Sequence, residues 1–454
     1  MPKKVLIAGA GLVGPMLAIA MSKEGHQVTL FEARSDRRKI SQDAGKSINL
    51  IITAKGLKTV EEAGILKEVK AITTPVYGRM MHSKTGELTF QAYGKDESEF
   101  NYSISRAKLN MLLMTLAERE GVQIYFDEPL EAIDFENRQA SFSTHKNCQY
   151  DLFFGTDGAG SVTRKELVRI HAGAMENRVE PLGIDYKELF MPAGEQYSYQ
   201  IDQKSLHIWP RGNHMLMALP NSDGSFTMTL YMPSVEFEKL DSSEKLKNYF
   251  ETEYPDALPL MPDYQLDFEK NPQGFLGTVR CNPWVYQDSV ALGGDAAHAV
   301  VPFFGQGMNC GFEDITYLTK MMKCHSDWAT ILEEYNQHQK LSDDAIADMA
   351  IENWNVMSSS VADKNYLLRK SVEKILENEF PKKYKSRYGM VVYTLIPYHF
   401  AQRVGLLQKE ILETLCSNLL NAEEVDLKQA SVLIDQKLVP YYREHNLSLD
   451  NFMP

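Results

Sequence analysis

Between Ala291 and Asp314 the chain reads ALGGDAAHAVVPFFGQGMNCGFED. One carboxylate, Asp295, follows the pair Gly293-Gly294 at the end of an apolar strand pattern. Pro302, Gly305 and Gly307 come next, and a helical pattern runs from Gly311. Glycines let a backbone approach a bulky planar group, and the acid can accept hydrogen bonds from ligand hydroxyls. The start of a helix offers its positive end to an anion. A second glycine cluster, GAGLVG, stands near the other end of the chain. Gly9 allows a tight turn, Gly11 lets a pyrophosphate reach the backbone, and Gly14 lets a helix pack closely on strands. Glu32 closes the following strand pattern, where a carboxylate suits a ribose diol and repels a 2′-phosphate.

These motifs need elements to hold them. Lys4 to Ala8 reads as a strand, PMLAIAMSKEG as a helix and VTLFE as a second strand, the unit expected around GxGxxG. Further on, YDLFFGTDGAGS gives an apolar strand, then Asp157-Gly158, then a helix start, a plausible second contact to the same ligand. There is no second complete GxGxxG, which argues against a separate pyridine-nucleotide domain. Leu57 to Val69 reads as helix. From Val76 a hairpin turns at Lys84 to Gly86, with Arg79 and Tyr93 on different arms. Arg106 sits where a short strand meets a long helix. Residues 197–232 alternate with period two, so Leu206, Met215, Met217 and Tyr231 either line an apolar wall or simply face a core. A helical region follows from Ile331, and GLLQKEILETLCSNLL is amphipathic with its apolar face expected to pack within the molecule.

Bulk properties narrow the function. The chain has 454 residues, 44% hydrophobic and 24% charged, enough for more than one domain. A net charge of −13 and no basic patch with interleaved aromatics speak against a nucleic-acid partner. Five cysteines without a CxxC pair indicate a reducing compartment. The histidines form no ligand-like cluster, so no metal is expected. The apolar start resembles a signal peptide, but Gly9, Gly11, Gly14 and Pro15 interrupt it, and no run of 18 or more apolar residues spans a bilayer.

The combination of GxGxxG with Glu32, the Asp-Gly around Asp157 and the Gly-Asp around Asp295 resembles the single-component FAD-dependent aromatic hydroxylases. GKSINL, RMMHS, LHIWPRG, ALPN, SFTMTLYMP and GDAAHAVVPFFGQGMN place it closest to the members that act on L-kynurenine. The resemblance runs from Lys4 to about Arg403. It implies an α/β fold: a Rossmann-like FAD-binding domain, an interleaved and mostly antiparallel substrate sheet, and a helical C-terminal region. The FAD-binding parts are expected at 1–75, 106–180 and 276–330, the substrate-side hairpin at 76–105, the substrate sheet at 181–275 and the helical region at 331–454.

The resemblance also implies bound FAD, NADPH as a transient reductant and O2 as co-substrate. The reaction is hydroxylation of L-kynurenine at C3, through a flavin C4a-hydroperoxide, in tryptophan degradation. By residue-for-residue match, Arg79, Tyr93, Tyr388 and Asn353 meet the amino-acid end of the substrate. Leu206, Met215, Met217, Tyr231, Phe303 and Met357 form the apolar wall, with Gln306 beside it. Gly9, Gly11, Gly14, Glu32, Lys46, Arg106, Asp157, Asp295, Gly305, Gly307, Met308 and Asn309 fall at the cofactor. No side chain is assigned as an obligatory acid or base. Phe304, Tyr231, Val392 and Trp354 depart from the residues common at those positions. A cytoplasmic form without a membrane segment is expected, with a homodimer left open. The alternatives are another aromatic substrate or a flavin-binding sensor without turnover.

Overall fold

A computed structural model describes residues 1–39, 49–358 and 364–452. Lys46, an expected cofactor contact, lies outside them. The strand Lys4–Ala8 is central in a six-stranded sheet. Gln27–Phe31 flanks it on one side and Leu152–Gly155 on the other, both parallel. Val290–Leu292 pairs in parallel with Leu152–Gly155, so the strands leading to Thr156 and to Gly293 end at the same edge as the Gly9 turn. Strands buried on both faces read as continuous apolar runs, which is how VLIA, LFFG and VAL appear in the sequence. The helix Val13–Lys23 covers one face, and Gly307–Cys324 packs against both that helix and the helix Ala54–Glu62.

A seven-stranded sheet forms the second layer. Its order is Gly274–Asn282, Glu176–Met191, Phe226–Pro233, Met215–Pro220, Ser205–Pro210, Gly78–His82, Leu88–Ala92. All neighbours are antiparallel except Gly78–His82 and Ser205–Pro210, which run parallel with Arg79 opposite Leu206. Period-two alternation then divides the sheet. Leu206, Ile208, Met215 and Tyr231 face the core shared with the helical region. Trp209, Leu216, Met228 and Leu230 face a second core under the helix Ser243–Glu253.

Two expectations change. The helix expected over Leu57 to Val69 is two helices, Ala54–Glu62 and Leu66–Lys70. Gly64 separates them at φ +68°, a left-handed conformation that ends the first. The sixteen-residue strand Glu176–Met191 carries charged residues along its length, and its pairing on both sides overrides them. The boundaries expected at 180/181 and 275/276 therefore fall inside strands of the seven-stranded sheet.

The C-terminal helices Trp328–Ser358, Lys364–Glu379, Arg387–Tyr393, Tyr398–Cys416 and Leu427–Glu444 close over the cavity face of that sheet. Ile411, Leu412 and Leu415 are buried, so the amphipathic segment packs internally. No helix among the described residues is long and apolar enough to cross a membrane.

Candidate active site

One large cavity lies between the two sheets, beneath the C-terminal helices. Its lining joins Gly11, Arg106, Gly293, Asp295, Gly305, Gly307 and Met308 to Arg79, Tyr93, Leu206, Met217, Tyr231, Phe303, Gln306, Met357 and Tyr388. The two groups of expected residues therefore share one space.

The cofactor side is built for close approach. A Cβ on Gly9 would stand 2.5 Å from Thr156 O, and one on Gly14 would stand 2.0 Å from Gly9 O, so strand, turn and helix touch without side chains. At Gly11 a Cβ would meet nothing within 4 Å among the described residues. This open backbone at the end of the central strand fits a pyrophosphate. From Ala291 to Ala299 every residue is buried except Asp295, whose side chain opens to the cavity. An acid exposed inside a buried run fits a polyhydroxylated ligand. Gly305 adopts φ +68°, in a turn that closes before the helix Gly307–Cys324 begins beside the cavity. Arg106, the first residue of the helix Arg106–Arg119, also lines the cavity.

Several expected contacts act from behind this surface. Glu32 Oε2 accepts from Ala10 N at 2.7 Å, and Oε1 accepts from Arg34 N and Nε. Burial raises the Glu32 carboxyl, but the Arg34 side chain and these N–H donors bring it below its ordinary value. Asp157 spends both oxygens on the helix Val162–Ile170, accepting from Ser161 Oγ and from the backbone of Val162 and Thr163. Gly158 and Ala159, not Asp157, line the cavity. Asn309 also works within the protein: Oδ1 accepts from Thr53 N, and Nδ2 donates to Ile51 O and Gly305 O.

On the substrate side, Arg79 projects toward Tyr93 and Tyr388. Its Cζ lies 5.5 Å from one ring centroid and 5.8 Å from the other. The two rings stack at 5.5 Å and 11°. Burial lowers the affinity of Arg79 for its proton, and the facing tyrosine hydroxyls more than offset it, so its pKa rises and the guanidinium stays charged. Arg79 forms no ion pair among the described residues, and its Nε has no hydrogen-bond partner. A half-buried guanidinium with its Nε buried and unpaired is costly unless an anion joins it. Asn101 Nδ2 donates to Tyr388 Oη at 2.9 Å and holds that ring.

The walls around the arginine are apolar. Tyr231 meets Phe303 edge-on at 5.3 Å, and Phe303 packs on Trp354 at 4.6 Å. Phe304 and Val392, two of the departures noted in the sequence, both line the cavity, with Phe304 stacked on Tyr388. Met215 is buried in the adjoining core without lining the cavity. Asn353 also stands behind the wall, donating to Phe303 O at 2.6 Å. Sequence reasoning missed Tyr186, Thr229 and Tyr398. The first two belong to strands whose alternation gives a face but not a neighbour. Tyr398 reaches the site only through Gln306, accepting no signal from sequence spacing.

Fold and site together define an FAD-dependent enzyme of the flavoprotein monooxygenase class. A family model described as an FAD binding domain matches residues 3–350. Kynurenine 3-monooxygenase of Myxococcus xanthus is 41% identical over 452 residues, covering 97% of either chain. That of Dictyostelium discoideum is 37% identical, covering 96% of this chain and 98% of its own. The chain belongs to the kynurenine 3-monooxygenase family. Solved structures agree on the fold. The tetrameric form of 2-methyl-3-hydroxypyridine-5-carboxylic acid oxygenase superposes with a TM-score of 0.66 at 19% identity, over 79% of this chain and 93% of that one. Klebsiella pneumoniae HpxO, complexed with FAD, gives 0.65 at 19% identity, over 79% and 91%.

Proposed function

We propose that this enzyme hydroxylates L-kynurenine at C3 of its ring, using NADPH and O2, to give 3-hydroxy-L-kynurenine and water. The observation that carries the substrate is Arg79, a half-buried cation without a carboxylate partner among the described residues, at the apolar end of the cavity. It offers paired donors to an amino-acid carboxylate, and the Tyr93 and Tyr388 hydroxyls add hydrogen bonds to the same group. Leu206, Met217, Tyr231, Phe303 and Met357 take the aniline ring, with methionine adapting to its edge. Asn353 acts one step back, fixing the Phe303 carbonyl and hence the ring beside it.

Gly9, Gly11, Gly14, Arg106, Asp295, Gly305, Gly307 and Met308 would hold FAD, with Glu32, Asp157 and Asn309 shaping that surface from behind. FAD supplies the electron transfer and oxygen chemistry when bound. The protein's own work is to bind the carboxylate, orient the ring, keep water from the apolar slot and present the Gln306 amide at its edge. The partition into FAD-binding, substrate-sheet and helical parts belongs to the same reading, as does a cytoplasmic setting, which five free cysteines suit.

The test is turnover. FAD-loaded protein given NADPH, O2 and L-kynurenine should form a product heavier by one oxygen on the ring. NADPH oxidation that yields peroxide alone, with kynurenine unchanged, would refute the substrate assignment.

A further inference from the structure

Behind the cofactor wall lies a buried cluster that the reaction does not use. His298 ends the short helix begun by Asp295. Its Nε2 donates to Asp314 Oδ2 at 2.7 Å and lies 3.4 Å from Asp343 Oδ2. The two carboxylates come from different helices, Gly307–Cys324 and Trp328–Ser358. Their surroundings differ sharply. Asp314 Oδ2 also accepts from Gly294 N at 3.0 Å, and Oδ1 accepts from Gln339 Nε2 at 3.2 Å. Asp343 is fully buried, and neither oxygen has a hydrogen-bond partner among the described residues.

An ionised carboxylate cannot be held in that setting without donors, whereas a neutral carboxylic acid can. Asp314 has three donors and is the ionised partner. We propose that His298 and Asp314 form a buried ion pair that positions the Gly294–Asp295 turn for FAD, and that Asp343 is its neutral neighbour. Both ends of the turn hang from one oxygen: Gly294 N before Asp295 and His298 Nε2 after it. Gly294 sits at φ +59°, ψ −143°, a conformation open to glycine alone, so an external tie is needed to keep the turn in place. His298 is therefore a positioning residue for the cofactor acid, and it touches neither cofactor nor substrate.

Electrostatics agree with the geometry. Burial alone would depress the imidazole, but the ionised Asp314 carboxylate outweighs it and holds the imidazole well above its ordinary value. Burial pushes the Asp343 carboxyl well above its own. A metal is the rival explanation, since a His298 nitrogen, Cys310 Sγ and an Asp343 oxygen lie within 4.8 Å of one another. Burial holds the Cys310 thiol up at about 12, and its S–H donates to Gly307 O at 3.2 Å. A metal there would have to displace both the thiol proton and the acid proton, so metal analysis of the holoenzyme separates the two readings.

The proposal rests on FAD binding and not on the substrate, so it can fail while the hydroxylase reading stands. The experiment titrates FAD into apo-protein of each variant, after a cooperative melt confirms folding. Asp314→Asn should bind FAD about tenfold or more weakly, because the cation behind the turn loses its partner. Asp343→Asn, a neutral isostere of a neutral acid, should stay within about twofold of the parent. His298→Gln keeps an N–H where Nε2 lay and should bind FAD more tightly than His298→Ala. This second pair carries the test if Asp314→Asn does not fold. Equal losses for Asp343→Asn and Asp314→Asn, or no difference between His298→Gln and His298→Ala, would overturn the proposal. So would stoichiometric metal in the purified holoenzyme.

Discussion

The Tyr398 hydroxyl donates to Gln306 Oε1 at 2.9 Å, and this bond fixes which end of the amide faces the cavity. Gln306 Nε2 lies 3.3 Å from the Phe304 carbonyl, which can only accept, so the nitrogen must be on that side. Thr53 Oγ1 donates to the same Oε1 at 3.3 Å, filling its second lone pair. Burial holds the Tyr398 phenol far above its ordinary value, so it is a permanent donor, and Lys55 Nζ rests 4.5 Å over its ring. One Nε2 hydrogen remains for the cavity's occupant. Tyr398→Phe should free the amide to turn. We expect kcat/KM for L-kynurenine to fall about tenfold, the worth of one hydrogen bond made in a dry site, with FAD content unchanged. Parent-like kinetics would show that the amide needs no such support.

The glycine motif separates folding from cofactor binding. Gly14 has no room for a side chain, whereas Gly11 faces open space. Gly14→Val should therefore lower the melting temperature of the apo-protein and lose FAD as a consequence. Gly11→Val should melt within a few degrees of the parent yet bind FAD at least about tenfold more weakly, since the branched side chain fills the space of the pyrophosphate. Thermal melts and FAD titration of the two variants check the contrast. Equal destabilisation would contradict it.

Acid should unfold the protein through two histidines. Burial lowers His207 to about 4, aided by neighbouring His82, and lowers His399 to about 4, aided by His338 and Lys55. Both start from an ordinary value of 6.5, so the fold favours the neutral ring. As pH falls below 6.5 the unfolded chain takes up protons that the folded chain refuses until about 4, and stability is lost across that window. The melting temperature should be lower at pH 5 than at pH 7.5. His207→Gln should flatten the slope. An unchanged slope in that variant would remove His207 from the account.

Much of the cofactor half was legible in the sequence because its signals are local. GAGLVG, GTDG and LGGD each carry strand, turn and helix start within a dozen residues, and parallel pairing then brings their ends to one edge. The local signal could not say what a given acid does there. Asp157 and Asp295 follow apolar strands alike, yet one caps a helix and the other opens to the cavity. The substrate half was legible only through family resemblance. Arg79 and Tyr388 meet because the C-terminal helices fold back over the sheet, and no periodicity encodes that contact. Tyr398 and Asp343 were invisible for the same reason. Each acts through a residue far away in the chain, at a distance that only tertiary packing sets.

The central claim is that Arg79 exists to receive the substrate's carboxylate. It is tested most directly by kcat/KM for L-kynurenine and for the amine analogue that lacks the carboxylate, in the parent enzyme and in Arg79→Ala. Removing one partner of a buried charge pair costs about 2–5 kcal/mol, so the parent should favour L-kynurenine by roughly 30-fold or more. Arg79→Ala should favour it hardly at all, with FAD still bound. Discrimination that survives intact in Arg79→Ala would place the carboxylate elsewhere and contradict the account.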